Sequence, residues 1–165
     1  MPKQILIVRH AKAEEADFKK SDFQRTLTHR GEKNAQEMAK RLKIKNLKPQ
    51  KIYSSPAQRA ILTAKHFADV LEIKHSNITQ DLEIYDALTY TLYDWINNLE
   101  ESADFIAIFG HNPSLTELVN KFCKTTIQHI PTSGIALIQF PFDSWKMLSE
   151  GTGDLLLFDY PKNEH

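Results

Sequence analysis

The sequence predicts an α/β fold, a three-layer α/β/α sandwich built on a mainly parallel sheet. Three observations point there. Short apolar runs with too little polarity to be one-sided read as buried strands, helical apolar stripes fall between them, and two of the runs end in a histidine. Ile5-Leu6-Ile7-Val8 leads into Arg9-His10, and Phe105-Ile106-Ala107-Ile108-Phe109-Gly110 leads into His111. In an open α/β sheet the loops at the carboxyl ends of parallel strands gather in one crevice, where ligands bind. Residues a hundred positions apart would meet there.

The elements follow in order. The first strand is expected over 4–8. The stretch from Ala11 to Arg25 is polar and aperiodic, with Phe18 and Phe23 as its only large apolar groups, and reads as a long loop over the crevice. Thr28 suits an N-cap for a helix over 29–43 with Ala35, Met38, Ala39 and Leu42 as its inner stripe. A second strand is expected over 51–54. Ser55, Pro56 and Gln58 then supply an N-cap, an N1 proline and a capping-box partner for a helix carrying Ala60, Ala64, Phe67, Ala68 and Leu71 inside. A short third strand is expected over 78–82, and Leu92, Trp95, Ile96 and Leu99 mark another helix. The fourth strand is expected over 105–109, and Asn112-Pro113 reads as a cap and N1 pair for a helix burying Leu115, Leu118, Val119 and Phe122. Two last strands, 134–140 and 154–160, form an antiparallel hairpin through Trp145 and Gly151-Thr152-Gly153. Strands alternating with helices give βαβ units, hence the parallel sheet; strand order stays open.

Bulk properties bound the function. With 165 residues the chain suits one domain, 1–165, and its 41% hydrophobic and 25% charged content is that of a globular protein. Lysine plus arginine equals aspartate plus glutamate at 21 each, which argues against a nucleic-acid partner and predicts only modest electrostatic steering overall. Any positive field in the crevice must be local. No apolar run approaches the roughly 20 residues of a membrane span, and Arg9 and Lys12 interrupt the first apolar stretch too early for a signal peptide. Cys123 is the sole cysteine and falls on the apolar side of a helix, so a buried structural thiol is expected. A cytoplasmic protein is the expectation.

The crevice residues suggest phosphoryl chemistry. Arg9 and Arg59 can each offer a planar fork to a phosphate and remain charged. Asn112, at the start of a helix, offers a further backbone N–H. A neutral imidazole attacks phosphorus without prior deprotonation, so a histidine here can serve as nucleophile and no metal or cofactor is required.

The residues resemble a known family. Arg9-His10-Ala11, then Leu27-Thr28 with Gly31 and Ala35, then Ser54-Ser55-Pro56 with Arg59, Ala60 and Thr63, then Gly110-His111-Asn112-Pro113 look like the histidine phosphatase superfamily, whose fold is phosphoglycerate mutase-like. Gly-His-Asn-Pro, the short length, Arg25 to Thr28 and Pro131-Thr132-Ser133-Gly134 most resemble its SixA-type phosphohistidine phosphatases. The resemblance implies that His10 is the phosphorylated nucleophile, that Arg9 and Arg59 hold the phosphate, and that His111 donates to it. It places Arg25 at the rim as a substrate contact and Glu83 in the stretch where mutase-like members keep a general acid. Ala11 stands where the family usually has glycine, which matters only if the backbone there needs positive φ.

The resemblance implies a phosphorylated protein as partner, such as a histidine phosphotransfer domain; a small phosphorylated molecule is the alternative. A zinc enzyme fits poorly, because no His-x-His or His-x-x-x-His pair occurs and the arginines would repel a cation. A phosphate-sensing module without turnover would have no need of His10. The remaining histidines, His29, His66, His75, His129 and His165, show no ligand spacing.

Overall fold

The computed structural model describes residues 1–163; His165 lies outside the described residues. Six strands form one sheet: β1 (Gln4–Arg9), β2 (Lys51–Ser54), β3 (Ile78–Gln80), β4 (Phe105–Gly110), β5 (Ile135–Gln139) and β6 (Asp154–Asp159), in the order β3-β2-β4-β1-β5-β6. β1, β2, β3 and β4 run parallel, while β5 pairs antiparallel with β1 and β6 pairs antiparallel with β5. The antiparallel hairpin expected at the end of the chain is present, and it places β1 in the interior of the sheet.

Four helices cover the faces: α1 (His29–Ile44), α2 (Gln58–Leu71), α3 (Thr89–Asn97) and α4 (Ser114–Cys123). Side-chain alternation along each strand divides the core in two. Leu6, Val8, Ile52, Phe109 and Leu137 pack with Met38, Leu42, Phe67 and Leu71 of α1 and α2. Ile5, Ile7, Ile106, Ile108 and Ile138 pack with Leu92, Ile96, Leu115, Leu118 and Phe122 of α3 and α4, and with Trp145. The result is the three-layer sandwich. Among the described residues no helix is long and apolar enough to cross a membrane.

The interior of each element matches its predicted stripe, but two helix starts differ. Thr28 caps α1 as expected, its side chain accepting from Gly31 N. By contrast, α2 begins one turn-step later than the capping box requires: Ala57 is its N-cap and no side chain caps it. Ser55 Oγ instead accepts from Ala57 N at 3.2 Å, inside the turn that leaves β2. Likewise, Pro113 is the N-cap of α4, and the Asn112–Pro113 bond is cis. The Asn112 side chain is used laterally, its Nδ2 donating to Ile130 O at 2.8 Å and its Oδ1 accepting from Thr116 Oγ1 at 2.8 Å. The third strand is also shorter than expected. It stops at Gln80, and Leu82–Ile84 turn into a single 3-10 turn with Leu82 exposed.

The 11–25 loop contains only a 3-10 turn over Asp22–Gln24 and one bridge, Ala13 to Leu27. Its root is pinned to α1, where Thr28 N and Thr28 Oγ1 both donate to Lys12 O. A Cβ on Gly31 would sit 2.2 Å from that carbonyl oxygen, so only glycine lets the helix approach the loop this closely.

Candidate active site

Sheet register brings the two histidines together. β1 and β4 are neighbours with Arg9 level with Gly110, so His10 and His111 leave adjacent parallel strands at the same height. Their ring centroids are 5.3 Å apart, close enough for one phosphate oxygen to reach both rings. The backbone of His10 is held from both sides: its N–H donates to Gly110 O, and its carbonyl accepts from Ser133 N, each at 3.1 Å.

His10 is buried, and its Nδ1 lies 2.7 Å from Ala11 O. A carbonyl only accepts, so Nδ1 carries the hydrogen and Nε2 keeps its lone pair. Burial, reinforced by the positive charges of Arg59, Arg9 and Arg25, lowers the His10 pKa to about 4 despite the Ala11 contact. Near neutral pH the ring is therefore uncharged, with a free lone pair on Nε2. Ala11 is buried and is not among the described residues with positive φ, so it fills the usual glycine position without strain.

His111 is neutral for similar reasons. Burial, then His10 and Arg59, bring its pKa down to about 3. Its Nε2 lies 2.8 Å from Ser55 Oγ. Because Ser55 Oγ accepts from Ala57 N, its own hydrogen can go to Nε2, which puts the ring hydrogen of His111 on Nδ1. That nitrogen is buried and has no protein partner.

Arg9 and Arg59 flank the pair. Arg9 Nη1 donates to Ile130 O at 3.0 Å, and burial holds its guanidinium below the ordinary value. Arg59 stands in the first turn of α2, where Thr63 Oγ1 donates to its carbonyl at 2.7 Å and accepts from Ala11 N at 2.9 Å. One threonine thus ties the loop after His10 to the helix of Arg59. Among the described residues, five buried side-chain polar atoms have no protein partner, and three of them are Arg9 Nε, Arg59 Nε and His111 Nδ1. Buried donors are costly unless paired, so their concentration at one spot marks a place prepared for an anion. The cleft there is about 360 Å³ and is lined by Arg9, His10, Arg25, Arg59, His111 and Asn112, together with Lys12, Ala13 and Thr132.

Of the predicted site residues, the structure brings His10, Arg9, Arg59, His111, Arg25 and Asn112 to this cleft. It does not bring Glu83. That residue is exposed on the 3-10 turn after β3 and is not among the cleft's lining, because β3 ends two residues too soon to carry it inward. Three further residues shape the cleft. Asp22 binds Arg59 and Arg25 at once, Tyr85 donates to Asp22 at 2.8 Å and meets the His111 ring edge-on at 5.6 Å, and Ser55 orients His111. Ser55 carried a signal as part of the Ser54-Ser55-Pro56 motif and Asp22 as an acid three residues from Arg25, whereas Tyr85 carried none.

Comparisons with known proteins agree with this geometry. Residues 5–83 match the family described as the histidine phosphatase superfamily (branch 1). No curated protein matches the sequence. Among solved structures, the chain is similar to one described as a candidate phosphohistidine phosphatase SixA from Agrobacterium tumefaciens, with TM-score 0.83 at 23% identity over 98% of this chain and 99% of that one. It is similar to the protein histidine phosphatase SixA complexed with tungstate, with TM-score 0.81 at 24% identity over 96% and 97%. A third likeness, to a SixA structure from Nakamurella multipartitia, has TM-score 0.83 at 17% identity over 99% and 98%. Residues 5–83 thus match the histidine phosphatase superfamily in sequence, and nearly the whole chain shares the fold of the SixA structures.

Proposed function

We propose that the chain is a cytoplasmic phosphatase that hydrolyses phosphohistidine on proteins through a covalent phospho-His10 intermediate, with no metal. The observation that carries the reading is the pairing at the cleft floor. His10 offers a free Nε2 lone pair, and a hydrogen on His111 Nδ1 and the arginines surround the place where a phosphoryl group would sit. Catalysis of phosphoryl transfer consists largely of such positioning and charge stabilisation.

The steps balance without a co-reactant. His10 Nε2 bonds to phosphorus as the substrate's phosphorus–nitrogen bond breaks; the substrate ring carries its proton on the other nitrogen and departs as neutral imidazole, while the hydrogen on His10 Nδ1 makes phospho-His10 the equivalent protonated species. Arg9, Arg59 and Nδ1–H of His111 hold the phosphoryl oxygens throughout. Water then attacks phospho-His10, releasing inorganic phosphate and regenerating the ring.

A protein substrate is favoured by the shape of the site. Between the end of α2 and the start of β4 the chain provides only two 3-10 turns, β3 and α3, so no inserted lid closes over a small ligand. The tungstate complex of a SixA relative supports an oxyanion in such a cleft. The test compares kcat/KM for a phosphohistidine protein or peptide with a panel of small phosphate esters, and traps the intermediate. Acid-labile phosphate on His10 and a preference for phosphohistidine are expected. A sugar or nucleotide phosphate preferred by more than about 100-fold, roughly 2.7 kcal/mol, would replace the protein substrate with a small molecule. Loss of activity with a chelator would overturn the metal-free mechanism.

A further inference from the structure

Beside the catalytic cleft lies a larger groove of about 620 Å³. Lys12 of the loop, Arg30 and Asn34 of α1, the stretch before β5 and the stretch after β6 form its walls. It shares Lys12 and Thr132 with the His10 cleft, so the two hollows make one continuous surface. Among the described residues, they are together lined by Arg9, Lys12, Arg25, Arg30, Arg59 and Lys162, and by no aspartate or glutamate. In a chain with equal numbers of acids and bases, this is a sorted surface. A smaller hollow of about 250 Å³, on the Tyr85 flank of Arg59 and His111, is lined by Asp22 and Asp86. Charge is polarised across the site.

The wall after β6 is anchored. Arg41 Nη1 donates to both carboxylate oxygens of the buried Asp159 at 3.2 Å, and to the carbonyls of Tyr160 at 3.0 Å and Asn163 at 3.1 Å. Its Nη2 donates to Pro161 O at 3.1 Å. One guanidinium therefore fixes the backbone that presents Lys162.

We propose that this groove seats an acidic segment of the phosphoprotein substrate, adjacent to the phosphorylated residue that enters the His10 cleft. The proposal rests on the phosphatase reading only for where the phosphate sits. Cations spaced among Pro131, Tyr160 and Pro161 suit an extended chain that alternates carboxylate and apolar side chains. The opposite flank adds the carboxylate of Asp86 and an Asp22 already paired with Arg59 and Arg25, so it attracts an acidic segment less than the groove does and biases the direction in which it lies. Complementary charge of this kind acts on encounter and orientation, so the local field makes association with an acidic partner more salt-dependent than the neutral net charge implies.

The test uses two synthetic phosphohistidine peptides identical except that one is flanked by aspartates and glutamates and the other by asparagines and glutamines. Wild type should prefer the acidic peptide about ten-fold in kcat/KM, about 1.4 kcal/mol. Arg30→Glu/Lys162→Glu should erase the preference, with Arg30→Gln/Lys162→Gln intermediate. Both variants should turn over p-nitrophenyl phosphate within two-fold of wild type. Binding of the unphosphorylated acidic peptide, followed by fluorescence polarisation, should weaken at least five-fold in the Glu variant. Equal binding of acidic and neutral peptides, a preference that survives charge reversal, or displacement of the peptide by a single-stranded oligonucleotide at lower concentration would overturn the proposal. If no peptide or ester is hydrolysed, the phosphatase reading falls, while the binding comparison still decides the groove.

Discussion

Asp22 holds both arms of Arg59. Arg59 Nη1 donates to the Asp22 backbone carbonyl at 2.8 Å and Nη2 to its carboxylate at 3.1 Å, while the same carboxylate takes Arg25 Nη2 at 3.0 Å and the Tyr85 hydroxyl. Burial alone would raise this carboxyl, but the Tyr85 hydrogen bond and the two arginines outweigh it and keep it below its ordinary pKa. The free protein thus carries an internal anion on donors that a phosphate would use.

Replacing Asp22 with Asn keeps the backbone anchor and removes the charge. Inorganic phosphate and tungstate should then bind two- to five-fold more tightly, the scale of a half-exposed ion pair at about 0.5–1 kcal/mol. Titration calorimetry checks this. Weaker anion binding in Asp22→Asn would mean that the carboxylate chiefly orients Arg59.

The two buried imidazoles set an acid limit. Both bind protons more weakly in the fold, at about 4 for His10 and about 3 for His111, than at their ordinary value of 6.5. As pH falls below 6.5 the unfolded chain takes up these protons first, so their contribution is complete above 6.5 and is lost progressively toward 4 and below. Thermal melts should show wild-type Tm falling through this window and His10→Gln/His111→Gln falling less. Activity on the His10 side should stay flat from about pH 5.5 upward, because the nucleophile is already neutral there.

Ser55 offers a separate check on His111. Ser55→Ala removes both the 2.8 Å contact to His111 Nε2 and the 3.2 Å contact from Ala57 N. A stability loss of about 1–3 kcal/mol is expected from the two hydrogen bonds, together with a kcat reduction near ten-fold and little change in KM. A kcat equal to wild type would show that His111 needs no help from the serine.

What the sequence revealed and what it hid divide along one physical line. Strand interiors, helix stripes and the motif residues His10, Arg59 and His111 were legible because periodicity and local punctuation encode them, and β1 and β4 carry their histidines at matching ends. Helix starts were less legible. Ser55 and Asn112 have the chemistry of caps, yet tertiary partners, His111 for one and Ile130 and Thr116 for the other, claimed their side chains. The pairing of Asp22 with Arg59 was hidden because the fold of an aperiodic loop, not its spacing, carries that carboxylate to Arg59. Glu83 was misplaced because a strand's last residues are the least determined part of it.

Close approach at the loop root gives a stability prediction. Gly31→Ala would set a methyl 2.2 Å from Lys12 O, a backbone atom with no room to yield cheaply. Either α1 or the 11–25 loop must move, at a cost of about 1–3 kcal/mol. Denaturant melts should register the loss. Since the loop carries Asp22 and Arg25, kcat/KM should fall with it, whereas an unchanged melt would mean the loop root relaxes freely.

The absence of Glu83 from the cleft predicts how rate depends on leaving group. Among the described residues that line the cleft there is no carboxyl, and Asp22 beside it is held ionised, so these residues offer no strong acid to protonate a departing oxygen. A phosphohistidine protonated on its remote ring nitrogen expels neutral imidazole and an aryl phosphate expels a weakly basic phenolate, so neither needs one. An alkyl phosphate expels a strongly basic alkoxide and does. Log kcat/KM should therefore fall steeply with leaving-group pKa across aryl and alkyl phosphates, by at least about 100-fold between p-nitrophenyl and a simple alkyl ester, or roughly 2.7 kcal/mol. Glu83→Gln should leave that slope and the rate within two-fold of wild type. A shallow slope that becomes steep in Glu83→Gln would return the glutamate to the role of acid and require the turn after β3 to swing inward during turnover.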